Sequence, residues 1–430
     1  MKDFSVPCQS CYNSRMREET EDAVAAPRAA DRSGWIETGR TALKLGLSSF
    51  GGPIAHIGYF RETYVRRKGW LDEATFADLT AMCQFLPGPA SSQLGMAIAM
   101  RRAGIPGALA AWAGFTLPSA ILMALFAWGL PSLAASASGA IHGLMLAAVA
   151  VVAQAVWSMG RSLIPDLLRG AMAIATAAAA LAYPGPAGQL LPIILCGILG
   201  WRTLRGKMPQ GASGSASDSP GSGLHGTPAP YAYLYLIAFG LLLVLLPWLA
   251  RFTGEPLAVL ADIGYRAGSL VFGGGHVVLP MLEHESVAAG LLSEERFVAG
   301  YGAAQAVPGP LFTFAAFVGA ASAPGAAGWL RAAVMLTAVF LPSFLLVAGA
   351  MPYWERLRAN RSARSALAGV NASVVGLLLA ALYDPVWTSA VRDAGDVAVA
   401  AAAFAALAYK RIPPIAVVAA CAAAGWIIET

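Results

Sequence analysis

One stretch restricts this chain more than any other. Residues 76–100 form an apolar run long enough to cross a bilayer, yet Pro87-Gly88-Pro89 stands near its centre. Proline removes a backbone donor and clashes with the preceding turn, and glycine is costly in a helix, so the helix must break there. In hydrocarbon every freed N–H and C=O needs a partner, and such a break survives only where protein or a water-filled cavity surrounds it. The same device returns as Pro308-Gly309-Pro310. Gln84 matches Gln305 and Ser92 falls on Thr313, all at an offset of 221.

Composition supplies the setting. The 430 residues are 57% hydrophobic and 12% charged, with a mean hydropathy of +0.61. Soluble domains carry roughly 25% charged residues, so the chain reads as an integral membrane protein. Its 46 glycines and 27 prolines suit close helix packing and broken helices. Cys83, Cys196 and Cys421 lie singly in apolar runs. Cys8 and Cys11 make one CxxC in a polar tail, without the second pair or histidines of a zinc site. The formal charge of +5 suits a membrane protein with a basic cytoplasmic face, and no nucleic-acid module is present to use it. The residues ask for no cofactor. Without HExxH or a carboxylate cluster inside a span, they ask for no metal either.

In order, residues 1–33 are polar and aperiodic, a disordered tail without the apolar core of a signal peptide. A first transporter repeat covers 34–204, a Gly/Ser/Pro-rich flexible linker 205–230, an added transmembrane helix 231–251, and a second repeat 252–430. The fold expected is an all-α polytopic membrane protein of about 13 membrane segments. Phe50-Gly51-Gly52-Pro53 matches Phe272-Gly273-Gly274-Gly275 at offset 222, and Lys44 then falls on Arg266. Leu117-Pro118-Ser119 recurs as Leu341-Pro342-Ser343. The single added helix makes the second repeat enter from the opposite side, an inverted repeat.

Charge tests the topology. Basic residues should gather in the cytoplasm, and most loops comply, but the basic loop 61–68 would lie outside if both neighbouring segments crossed fully. If the broken segments dip in and return on one side, that loop moves inside and the acidic loop 283–295 moves outside. Charge therefore favours re-entrant broken segments.

A helix restarting after Pro-Gly-Pro has its N-terminus near mid-membrane, where unpaired N–H groups and a positive dipole end favour an anion. Pro87, Gly88, Pro89, Pro308, Gly309 and Pro310 form the two breaks; Ser91, Ser92 and Thr313 add hydroxyls, and Gln84 and Gln305 add amides. Proline kinks used only for packing are the bland alternative, disfavoured by two equivalent breaks with equivalent flanks. Lys44 and Arg266 are candidate substrate cations, against snorkelling to an interface. His56, His276 and Glu283 are candidates for proton coupling, while His284 and Glu285 read as loop residues.

FGGPIAHIGYF, QFLPGPASSQLG, FGGGHVVLPMLE and AVPGPLFTFAAFVG, in that order, resemble the chromate ion transporter family in its long, two-domain form. The resemblance runs over about 35–426. It implies export of chromate from the cytoplasm through the bacterial inner (plasma) membrane, driven by the membrane potential or a proton gradient, and so chromate resistance. The family's motif residues map onto Phe50, Gly51, Gly52, Pro53, Gln84, Pro87, Gly88, Pro89 and their second-half partners. The second half reads Gly-Gly-Gly where the first reads Gly-Gly-Pro, so two equivalent half-sites are not expected. The residues alone reach only an anion transporter. Sulfate or another tetrahedral oxyanion stays open as substrate, and so does a homodimer. An intramembrane enzyme lacks a nucleophile or metal set, and a channel suits the unequal halves less well than alternating access.

Overall fold

The computed structural model describes residues 34–429 except 51, 137, 184–185, 206–228, 273–277 and 410–411. Gly51, Gly273, Gly274, Gly275 and His276 lie outside the described residues, as do the N-terminal tail with its CxxC and most of the linker. Among the described residues all regular structure is helical. The chain is an all-α, multi-pass membrane protein.

The first half opens with α1 (Gly34–Ser48) and α2 (Gly52–Phe60), which a π-helical turn (Arg61–Arg67) lengthens. Then come α3 (Glu73–Phe85) and α4 (Ala90–Ser136). Ala103 and Gly104 leave helical angles, so α4 is two helices in series, α4a over 90–102 and α4b over 105–136. The ends of the short helices meet on one side. Glu37, in the first turn of α1, receives Lys68 Nζ at 2.8 Å and Arg102 Nη2 at 2.7 Å on its two oxygens. Both cations also lie over the Trp70 ring, 5.0 and 4.3 Å from its centroid. Asp72 caps α3 at that level by accepting Thr75 N–H at 2.7 Å. So α1–α2 and α3–α4a are two hairpins that enter and leave on the same side, with their tips at the Phe-Gly-Gly and Pro-Gly-Pro breaks.

The rest of that half is α5 (Ser138–Leu163), α6 (Leu167–Ala182) and α7 (Pro186–Thr203), followed by α8 (Ala229–Thr253). The strongly apolar α8 is almost unburied within the protein, so this helix offers most of its surface to lipid. The second half repeats the pattern: α9 (Pro256–Leu270), α10 (Val278–Ala288), α11 (Glu294–Ala304), a 3-10 turn (Leu311–Thr313) with α12 (Phe314–Ala321), and α13 (Gly325–Ala350). Trp354 follows in α14 (Trp354–Ala359), then α15 (Arg361–Ala381), α16 (Ala394–Ala408) and α17 (Pro414–Glu429).

Contacts fix the relative direction of the halves. Trp112 and Trp128 of α4b pack against Phe340 and Trp329 of α13, so the two long helices run antiparallel. Arg296, at the start of α11, shares a cleft with Ala321 at the end of α12 and Trp128 at the far end of α4b. The second pair of hairpins therefore opens on the side opposite Glu37, Lys68 and Arg102. This is an inverted repeat with re-entrant broken segments. His284 and Glu285 lie inside α10 rather than in a loop, because that helix runs on to Ala288.

The halves are interlaced. α6 and α7 pack on α15, and α16 and α17 pack on α5, so each half's last two helices lean on the other half's long helix. Gly200 faces Gly369 and Gly425 faces Gly139 so closely that a Cβ at Gly200, Gly369 or Gly425 would strike backbone. Small residues of this kind let membrane helices approach, since apolar burial alone drives little association in lipid. Thr176 Oγ1 also donates to Ser373 Oγ at 3.1 Å, joining α6 to α15.

Candidate substrate site at the crossed helix tips

The four tips meet between the two sets of hairpins, and they meet across the halves. Gly88 N–H donates to Val271 C=O at 2.6 Å, and Gly309 N–H donates to Ser49 C=O at 2.8 Å. Each Pro-Gly-Pro therefore pairs with the broken segment of the opposite repeat. Backbone groups that the prolines would leave unpaired find partners, as a break in hydrocarbon requires. Gly88 and Gly309 hold φ of +116° and +94°, which L side chains rarely adopt. A Cβ on Gly88 would lie 2.5 Å from Ser343 Oγ, and one on Gly309 would strike Ser119 Oγ. The repeated Leu-Pro-Ser thus places one serine against each tip, again from the opposite half.

Buried polar atoms gather here without partners. They include the hydroxyls of Ser49, Ser92, Thr116 and Ser119 and the Gln93 Oε1. Buried polar groups are normally hydrogen-bonded, and each exception needs a reason. A cavity of about 70 Å³ lies at one crossing, bordered by Gly52, Pro53, Gln154, Gln305 and Gly309. His56 is buried beside it, with Nδ1 3.3 Å from Ser91 Oγ and Nε2 3.3 Å from Ser49 C=O. It therefore bridges the first break to the helix that restarts after Pro89, and its ring packs edge-on against Phe115.

Not every residue singled out in the sequence arrives at the tips. Gln84 is exposed, whereas Gln93, one turn beyond the break, is fully buried and donates through Nε2 to Pro87 C=O at 2.6 Å. Thr313 turns its hydroxyl onto Pro310 C=O at 2.8 Å. Lys44 is exposed on the same stripe of α1 as Arg40 and does not border the cavity. Arg266 is held otherwise than as a substrate cation. Its guanidinium reaches both oxygens of Asp262, at 2.8 and 2.6 Å, and pairs bidentately with Glu285 on α10. Two carboxylates outweigh its single charge, so Arg266 joins α9 to α10 and offers no net positive field. Glu283 has Glu294 and Asp384 as charged neighbours, at the surface end of the second hairpins.

A family model described as Chromate transporter matches residues 36–201 and 258–426, and so covers both repeats. The chain belongs to the chromate transporter family. It is 28% identical to a chromate transport protein of Pseudomonas aeruginosa over 99% of both chains. It is 26% identical to a chromate transport protein of Cupriavidus metallidurans over 79% of this chain and 80% of that one. No solved structure matches the chain. The two blocks matched by the chromate transporter model are the two sets of hairpins with their following helices, and the gap between them holds the linker and α8. Ser49, Gln93, Thr116, Ser119 and Ser343 are the site candidates that sequence reasoning passed over. The repeated Leu-Pro-Ser carried the signal for two of them.

Proposed function

We propose that this chain exports chromate from the cytoplasm across the bacterial inner membrane, driven by the membrane potential or a proton gradient, and so confers chromate resistance. The observation that carries the proposal is the crossed pairing of the tips around unpartnered buried donors. Hairpins opening on opposite sides and meeting at one place suit alternating access, because either pair can part while the other holds. Helices begin at Gly52 and Ala90 beside the breaks, and their positive ends favour an anion. The donors at the cavity are neutral, which suits an anion that must leave as well as bind. The side bearing Arg61, Arg66, Arg67, Lys68 and Arg102 is the cytoplasmic one by its excess of cations.

Sulfate is the second reading. Hydroxyls, amides and helix ends recognise an oxyanion by its oxygens, and nothing in that donor set is particular to chromium. Radiolabelled chromate uptake into everted vesicles, with and without an imposed proton gradient and with excess sulfate, tests both. Gradient-dependent chromate uptake that sulfate leaves intact supports the first reading. Chromate uptake suppressed by the excess sulfate favours the second, and no uptake of chromate or of radiolabelled sulfate overturns both.

A further inference from the structure

The cavity at the crossing of Gly309 with Ser49 has walls without charge. The described residues that border it include two polar side chains, Gln154 of α5 and Gln305 at the end of α11, one from each repeat, and none that ionises. Ser49 and Ser119 flank Gly309 there: Ser49 C=O accepts the Gly309 N–H, and a Cβ on Gly309 would strike Ser119 Oγ. Both serines are fully buried, and neither hydroxyl has a partner. Gln305 is hydrogen-bonded to the buried hydroxyl of Tyr301, one turn back on α11, which leaves its carboxamide further capacity to donate and to accept.

Charge can be counted. α2 begins at Gly52 against the cavity, and α4a begins at Ala90, tied to the same crossing through Ser91 and His56. Each helix start is worth about half a positive charge, so the two supply roughly one. The candidate cations are elsewhere: Lys44 and Arg40 are exposed on α1, and Arg266 on α9 is held by Asp262 and Glu285. Two titratable side chains stand close. His56 of α2 donates from Nε2 to Ser49 C=O and accepts the Ser91 hydroxyl on Nδ1, so neither nitrogen is left for an anion. Tyr301 of α11 spends its hydroxyl on Gln305. α5, the 3-10 turn, α16 and α17 bring no ionisable side chain to the border among the described residues. A dianion would therefore keep about one charge uncompensated and away from water, a costly state. An oxyanion that carries one proton matches the count, and its hydroxyl needs an acceptor. Serine hydroxyls and carboxamides accept as well as donate, whereas an ammonium or guanidinium only donates.

We infer that the crossing carries a singly protonated, singly charged oxyanion, hydrogen chromate, and that the proton arrives on the substrate instead of on the protein. Chromate takes up a proton close to neutral pH, whereas sulfate does so only in strong acid. A neutral site therefore separates two dianions of similar shape by their basicity, a distinction that donors alone cannot draw. The inference deepens the reading of the chain as a chromate exporter and rests on it for direction. The proton is taken from water on the cytoplasmic face, crosses on a chromate oxygen and returns to water outside, so each anion moves one net negative charge.

Initial chromate uptake into everted vesicles tests this, with the membrane potential clamped, bath and lumen at equal pH, and perrhenate as the probe for charge. Perrhenate is a tetrahedral anion of single charge that takes no proton in this range. The KM for total chromate should rise up to about tenfold per pH unit above neutrality, as hydrogen chromate becomes scarce, while the maximal rate holds. Perrhenate should inhibit with a constant that does not move with pH, and sulfate should inhibit at no pH. His56→Gln, which keeps a donor and an acceptor, should retain the slope. Gln154→Lys supplies the missing charge, so sulfate should begin to inhibit and the slope should flatten. A KM for total chromate that is level across pH overturns the inference and leaves a dianion exporter standing. Perrhenate inhibition that weakens with pH alongside chromate, or loss of the slope in His56→Gln, overturns it as well, because the proton then sits on the protein. A Gln154→Lys chain that carries chromate with the wild-type slope and still ignores sulfate overturns the charge count. Absence of chromate uptake at every pH removes the exporter reading itself, and the inference with it.

Discussion

Alanine at Gly88 tests the crossed tips through a single methyl group. Gly88 holds φ +116°, and a non-glycine residue forced into such a region costs ~1–3 kcal/mol. The methyl would also lie 2.5 Å from Ser343 Oγ and 2.7 Å from Gln93 Nε2, and overpacking of this kind costs ~1–3 kcal/mol. The buried Ser343 hydroxyl must be displaced to admit it, and Gln93 is held by its bond to Pro87 C=O. Together the two effects amount to ~2–6 kcal/mol, or roughly 30- to 25,000-fold in the population of the native tip. Chromate uptake into everted vesicles, normalised to the protein present in the membrane, should fall accordingly. Adding Ser343→Ala relieves one contact and leaves the backbone strain, so about tenfold should return. Ser119→Ala faces Gly309 instead and should restore nothing. Wild-type uptake by Gly88→Ala would refute the reasoning, and so would equal rescue by Ser119→Ala.

Three further outcomes follow from the same geometry. Cysteines at Arg67 and Ala288, with Cys8 and Cys11 changed to serine, should react with an impermeant maleimide from the cytoplasm and from outside, respectively; labelling of both from one side contradicts the opposed hairpins. Arg266→Gln leaves Asp262 and Glu285 facing each other without a cation, and should destabilise the folded chain by ~3–5 kcal/mol in denaturant titrations, whereas a role in substrate binding alone would spare stability. Lys68 and Arg102 hold the Glu37 carboxyl below the usual carboxylate range, so their hold on the hairpin bases is full above that range and is lost as pH falls through the lowered value. Limited proteolysis of the 61–72 segment should accelerate on that acid side, and Glu37→Gln should show the fast cleavage at every pH.

Much of the architecture could be read from the residues, because the breaks are chemically unambiguous and occur twice. Pro-Gly-Pro in an apolar run forces a tip, and the charge of 61–68 against 283–295 decides that each broken segment returns on its own side. Partner choice was hidden. The Phe-Gly-Gly and Pro-Gly-Pro signals recur in both halves, so spacing alone cannot tell a pairing within one half from the observed pairing of Gly88 with Val271 and Gly309 with Ser49. The interlacing of α6 and α7 with α15 was hidden for the same reason. Arg266 misled because its match with Lys44 concerns position only. Asp262 stands four residues before it on the helix, and the first half has Arg40 at that place, so a salt-bridged pair faces an all-basic one. Glu285 completed the clamp only because α10 runs further than the acidic stretch suggested.

The central claim is that an oxyanion is held where the tips of opposite repeats cross. Anomalous scattering at the chromium edge from crystals grown with chromate addresses it most directly, since chromium marks its own position. The account predicts a peak in the cavity between Gln305, Gly309 and Pro53, lost in Gln305→Ala crystals. A chromium peak beside Lys44 or Arg266, with none at the tips, would contradict it.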